Sequence, residues 1–214
     1  MREMNLVLIF PLDLPSFAIS AVLREMLFLL VCFSERKGLY PVWQTILEGM
    51  MNTMLYFAYG SNMSTRRLVA RVPSAKAVSV AMLSGHSLEF HKIGKDGSAK
   101  CDAVYTDDLN DVVHGVVFEM ALSEKPTLDK IEGLGNGYAE KDVIVLSESG
   151  EAFEAVTYYA TSIDASLEPC DWYVEHVLRG AREHGLPPDY INRIEAIESI
   201  PDPDNYEVEM AIYQ

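Results

Sequence analysis

Tyr56-Phe57-Ala58-Tyr59-Gly60-Ser61-Asn62-Met63 is the stretch whose conformation governs the rest of the chain. An apolar, aromatic run that ends on glycine reads as a buried strand entering a turn. Ser61-Asn62 and Ser64-Thr65 offer caps for a short helix over about 64–71. A tight strand–glycine–helix turn aims successive backbone N–H groups at one point. That point suits a carboxylate or an oxyanion. The same pattern also fits an ordinary capped turn, and the residues alone leave both readings open.

Beyond this stretch the pattern is mixed α and β. Alternating segments at 75–83, 87–93, 101–106, 112–120, 138–147 and 152–160 read as strands. Gly94 and Gly97 bracket Lys95-Asp96 as a hairpin tip. Gly115, inside a strand pattern, signals a bulge or a close backbone approach. Ser123 is expected to cap a helix with Pro126 in its first turn, with Leu128, Ile131 and Leu134 on one face. Helical spacing recurs over 171–184 and 188–197, and Pro201-Asp202-Pro203-Asp204 reads as loop. Six or seven short strands without strict βαβ alternation predict an α+β fold, a small mixed β-barrel or strongly curved sheet with helices packed outside.

The first fifty residues differ from the rest. Thirty of them are apolar, and they carry 4 basic and 5 acidic groups, so residues 51–214 hold −14 of the net −15. The chain therefore divides into an apolar N-terminal extension, 1–50, and a domain, 51–214. A membrane anchor over 16–33 would place Arg24 and Glu25 mid-span, at about 2.5–3.5 kcal/mol each. A signal peptide is opposed by Pro11, Asp13 and Pro15. The third reading is an appended helix, or an extension upstream of a start at Met50, Met51 or Met54, since Leu47-Glu48-Gly49 can be encoded by a purine-rich, ribosome-binding-like run.

The acidic balance argues against nucleic acid, which needs a basic footprint, and against an anionic membrane surface. Cys32, Cys101 and Cys170 show no CxxC or Cys/His cluster, so idle thiols in a reducing, cytoplasmic compartment are expected. His86, His91, His114, His176 and His184 form no i, i+4 pair, so no metal is expected. Ser61 lacks a GxSxG context because position 63 is Met. Gly133-Leu134-Gly135-Asn136-Gly137 follows a helix rather than a strand, which fails the dinucleotide-loop context.

Glu132 is the candidate acid–base. It falls in the last turn of its helix, where the macrodipole disfavours negative charge and raises a carboxyl pKa. A solvated surface glutamate is the competing reading.

Residues 56–63 resemble the strand and loop of the γ-glutamylcyclotransferase family, which shares the AIG2-like fold. Asp129-Lys130-Ile131-Glu132-Gly133, followed by Tyr138, resembles that family's catalytic-glutamate segment. Tyr158, Tyr173 and the run Glu183-His184-Gly185-Leu186-Pro187-Pro188-Asp189-Tyr190 extend the likeness over about 54–200. The resemblance implies a metal-independent, cofactor-free, amide-cleaving cyclotransferase with acyl-transfer, lyase-type chemistry. It implies that a γ-glutamyl group closes to 5-oxoproline and releases its amine, with Glu132 as general acid and base. Tyr56, Phe57, Ala58, Tyr59, Gly60, Ser61, Asn62, Tyr138, Tyr158 and Tyr173 would bind the substrate. Neighbouring Tyr158 and Tyr159 would face opposite ways on a strand, and an alignment slip would exchange them. The Tyr-Gly-Ser-Asn form looks closer to the types acting on γ-glutamyl amino acids or biosynthetic intermediates than to glutathione-specific ones. The alternative is a non-catalytic γ-glutamyl or anion-binding module. A homodimer is left open.

Overall fold

A computed structural model describes residues 52–214. The expectations for the apolar extension, including the anchor at 16–33, lie outside the described residues. Seven strands and five α-helices follow. The strands are β1 (Thr53–Ala58), β2 (Lys76–Ser84), β3 (His86–Ile93), β4 (Ala99–Tyr105), β5 (Val112–Ala121), β6 (Tyr138–Ser147) and β7 (Ala152–Ala160). The helices are α1 (Thr65–Arg71), α2 (Lys125–Glu132), α3 (Asp171–Glu183), α4 (Pro188–Glu195) and α5 (Pro203–Met210).

Five strands close a barrel in the order β1-β5-β2-β6-β7, and β3 and β4 form a separate two-stranded ribbon. The architecture is the expected α+β barrel with helices outside. Closure comes from a short parallel contact at Tyr56↔Val156, whereas the other barrel pairs are antiparallel. Closing the sheet leaves no unpaired barrel edge to template aggregation. Along β6 burial alternates, with Val143, Val145 and Ser147 inward and Ile144 and Leu146 outward.

Gly115 is a close approach rather than a bulge. A Cβ there would meet the Ala58 carbonyl and would lie 2.7 Å from the Phe57 ring. The bulges fall instead in β2, between Ala77 and Ser79, and in β3, between Phe90 and Lys92. The core fills with Phe57, Met63, Leu68, Phe118, Met120 and Leu128, all essentially without exposure.

Three local expectations are corrected. Ser64 stands at the N-cap of α1, but its side chain makes no capping bond. Ser123 does not cap α2 either: it lies in a 3-10 turn, Leu122–Glu124, and Glu124 precedes the helix with its carboxylate turned to Ser74. The stretch expected as loop at 201–204 opens α5. Asp202 is its cap, accepting from the Asn205 N–H, and Pro203 occupies its first turn. Among the described residues no helix is long and apolar enough to cross a membrane.

Candidate active site

Two chain segments separated by some seventy residues meet at the end of the barrel. The first continues β1 through Tyr59 and Gly60 into a 3-10 turn, Ser61–Met63, closed by the Met63 N–H donating to the Gly60 carbonyl at 3.0 Å. Gly60 has φ −112°, which any residue adopts, so its smallness matters for space. A Cβ would sit 3.2 Å from Cys101 Cβ and 3.3 Å from the Tyr173 hydroxyl. The backbone N–H groups of Gly60, Ser61 and Asn62 find no backbone acceptor among the described residues. They are the orphan donors of a helical start.

The second segment is the end of α2. Gly133 takes φ +80°, and the N–H groups of Gly133 and Leu134 both donate to the Asp129 carbonyl at 2.9 Å. This left-handed exit stops the helix directly after Glu132. Glu132 is therefore the last helical residue, half-buried, with its carboxylate inside the cleft.

Glu132 Oε1 accepts from the Tyr56 hydroxyl at 3.1 Å and from Asn62 Nδ2. Asn62 is buried, and its Oδ1 accepts from the Arg71 guanidinium at 2.9 Å. That bond fixes the amide so that its NH2 faces the carboxylate. Burial pushes the Glu132 carboxyl pKa up, against the opposing pull of Arg71, the Tyr56 hydroxyl, Arg67 and Lys92. The direction matches the expectation, but desolvation rather than the helix end is the main cause. A solvated surface glutamate would show neither the enclosure nor the partners.

The cleft is walled by Tyr56, Tyr59, Gly60, Ser61, Asn62, Cys101, Glu132, Tyr138, Tyr158 and Tyr173. Most of the tyrosine hydroxyls brace the wall. Tyr59 donates to the Tyr158 carbonyl at 2.6 Å, Tyr138 to the Cys101 carbonyl at 2.5 Å, and Tyr158 to Asp129 at 2.5 Å. Tyr173 accepts from the Cys101 N–H at 3.0 Å. Burial keeps Tyr56, Tyr59, Tyr138 and Tyr173 protonated well beyond neutral pH. Burial likewise pushes the Cys101 thiol up to about 12, so it is no thiolate nucleophile.

Of the residues expected to bind substrate, Phe57 and Ala58 lie elsewhere. Phe57 packs on Gly115 in the core, and the Ala58 backbone lies against the same glycine. Tyr158, not Tyr159, faces the cleft; Tyr159 lies half-exposed under Lys141. Three contributors escaped sequence reading. Cys101 offered only an isolated thiol. Arg71 lies nine residues after Asn62 with no local motif. Asp129 was legible in principle, because i, i+3 spacing sets it on the Glu132 side of the helix.

Arg71→Gln is expected to shift the acidic limb of the kcat/KM profile. Arg71 is the strongest influence holding the Glu132 pKa down. Losing its charge raises that pKa further, so the limb moves to higher pH and the rate at neutral pH falls. A pH–rate profile with an unmoved limb would show that Arg71 serves the fold alone.

A closed small barrel, an orphan-amide turn and a buried carboxylate between them define a small-molecule site of acid–base type. The AIG2-like family model matches residues 112–194, from β5 into α4. Gamma-glutamylcyclotransferase of Bos taurus is 36% identical over 150 residues, covering 68% of this chain and 79% of its own. The Homo sapiens protein of the same name is 35% identical over the same shares. A solved structure titled gamma-glutamyl cyclotransferase superposes with a TM-score of 0.67 at 28% identity, covering 74% of this chain and 99% of its own. The chain belongs to the γ-glutamylcyclotransferase family.

Proposed function

We propose that this protein cyclises γ-glutamyl compounds to 5-oxoproline and releases the amine. The observation that carries this is the Glu132 carboxylate, enclosed by tyrosines and held by Tyr56 and Asn62 beside an amide-rich turn. The substrate's α-amino group attacks its own γ-carbonyl, closing a five-membered ring. Nucleophile and electrophile share one molecule, so the folded substrate supplies proximity that is worth up to about 7–11 kcal/mol in well-oriented systems. No metal or cofactor enters these steps.

Glu132 takes a proton from the substrate ammonium, making the amine nucleophilic. The C–N bond forms, and negative charge collects on the former carbonyl oxygen. The N–H groups of Ser61 and Asn62 stabilise that oxygen. The γ C–N bond then breaks as Glu132 returns that proton to the departing nitrogen. The second proton of the former ammonium, now on the ring nitrogen, is relayed the same way, leaving a lactam N–H and a product ammonium. A carboxyl pKa raised by burial brings it nearer the operating pH, as a group that both accepts and donates needs. Tyr138, Tyr158 and Tyr173 wall the substrate chain and exclude water. The substrate class we favour is γ-glutamyl amino acids. The same reading has the protein acting in the cytoplasm, where the buried free thiols Cys101 and Cys170 stay reduced.

The test is 5-oxoproline release from γ-glutamyl-alanine, glutathione and γ-glutamyl-ε-lysine. Release is expected first from γ-glutamyl-alanine. A folded protein that forms 5-oxoproline from none of the three would favour the binding-module reading instead.

A further inference from the structure

A second, larger cavity of about 330 Å3 lies behind the catalytic cleft, between the β3–β4 ribbon, the start of β5 and α4. That volume falls in the range of small-molecule sites. The two spaces are divided by an aromatic contact. Phe90 lines the large cavity, Tyr173 lines the cleft, and their rings meet edge to face at 6.4 Å. Cys101, opposite Phe90 in the ribbon register, faces the cleft.

The lining of this cavity is not that of a packing defect. Leu88, Phe90, Ile194 and Ile197 give it apolar ground among the polar His86, Ser87, Asn110 and His114. Tyr190 is 3% exposed, and its buried hydroxyl comes near the His114 backbone without a hydrogen bond of acceptable geometry. Tyr190 closes the Gly185–Tyr190 run that the catalytic reading leaves without a task. Two opposite charges complete the lining. Arg193 stands over the Tyr190 ring at 5.2 Å, and Asp111 ends the loop into β5. Neither has an ion pair among the described residues. His114 and His86 are both pushed toward the neutral form, chiefly by burial, which leaves Arg193 as the cation of this lining.

We propose that this cavity is a second ligand site, taking a free α-amino acid with an apolar side chain. Its carboxylate meets Arg193, its ammonium meets Asp111, and its side chain lies along Leu88, Phe90, Ile194 and Ile197. The chemistry follows from the lining: Arg193 and Asp111 answer the two charges of a zwitterion, and the four apolar residues take its tail. The site is independent of the catalytic reading, because binding is read without turnover.

The experiment is calorimetric titration of the full chain with L-phenylalanine, 3-phenylpropanoate and phenethylamine, with a thermal-shift series as a second readout. L-phenylalanine binds best, and each single-charge probe is weaker by about tenfold or more. Arg193→Gln weakens L-phenylalanine by a similar factor but leaves phenethylamine unchanged. Asp111→Asn weakens L-phenylalanine but leaves 3-phenylpropanoate unchanged. Both side chains lie outside the core, so both variants fold. Saturating 5-oxoproline does not displace L-phenylalanine. The proposal is overturned if L-phenylalanine gives neither heat nor thermal shift at millimolar concentration, if both variants bind it as the wild type does, or if 5-oxoproline competes.

Discussion

Glu132→Gln is expected to remove 5-oxoproline release by a factor of about 10²–10⁴ while leaving the fold and the binding of γ-glutamyl compounds in place. Glutamine keeps an oxygen that can accept from Tyr56 and Asn62, so the cleft retains its shape. It cannot carry the proton between ammonium and leaving amine. The effect therefore falls on kcat, with KM nearly constant. Stability supplies an independent check. The Glu132 pKa is raised in the fold above its ordinary 4.5. Its contribution is thus fully present below the unfolded value and is lost as pH rises through the folded one. At pH 7 the ionised carboxylate is a standing cost that glutamine lacks. The variant should melt no lower than wild type at pH 7, and its advantage should shrink toward pH 4. An active Glu132→Gln protein would remove Glu132 as the base. A variant that melts much lower at pH 7 would mean that the Arg71, Tyr56 and Asn62 contacts outweigh desolvation.

The catalytic half of this arrangement could be read in the chain because it is local. A strand, a glycine and a polar turn announce themselves within eight residues. The α2 exit was legible only to within Gly133, Gly135 and Gly137: the helix ends at Glu132, so Leu134, expected on its apolar face, lies beyond it. β6 and β7 were legible to the residue for the same reason: period-two patterning over ten and nine residues, with a Gly150 turn between them. What could not be read is what the chain brings together over long separations. The parallel closure of β1 on β7 leaves no local mark. Neither does Arg71 reaching Asn62, nor the burial that sets the Glu132 pKa. Ser123 failed as a cap because a 3-10 turn carries the chain past it, and Glu124, the residue before α2, is drawn to Ser74. Ser64 holds the N-cap position without a capping bond, for which the structure offers no reason. The miss at 201–204 was of another kind. An aspartate before a proline is a helix-start pattern, and two prolines obscured it. Phe57 and Ala58 sit inside the eight-residue stretch yet outside the cleft, so membership of a motif did not fix which way a side chain or backbone faces.

Gly180→Ala should lower stability and activity together, against the intrinsic preference of the residue. Alanine in a helix interior is favoured over glycine by about 0.8–1.0 kcal/mol. In α3, however, Gly180 is where the helix lies against the loop that carries Ser61 and Asn62. A Cβ there would press on the Ser64 backbone nitrogen and would lie 2.5 Å from both the carbonyl carbon and the Cβ of Met63. Two of those three neighbours are backbone, and Met63 is fully buried, so none can swing aside. Overpacking of this kind costs about 1–3 kcal/mol or more, which exceeds the propensity gain. A net loss of about 1–2 kcal/mol lowers the melting temperature by roughly 2–8 °C in a chain of this size. One relief of the clash is a shift of residues 61–64, and Asn62 moves with them. A displacement near 1 Å at a catalytic contact can cost about 10²-fold in rate. Gly180→Ala should therefore reduce kcat/KM well beyond what its lost stability explains at 25 °C. Thermal unfolding with steady-state kinetics on the same preparation decides the matter. A raised melting temperature would show that helix propensity prevails over the contact. A lowered one with unchanged kcat/KM would show that α3 yields without moving Asn62.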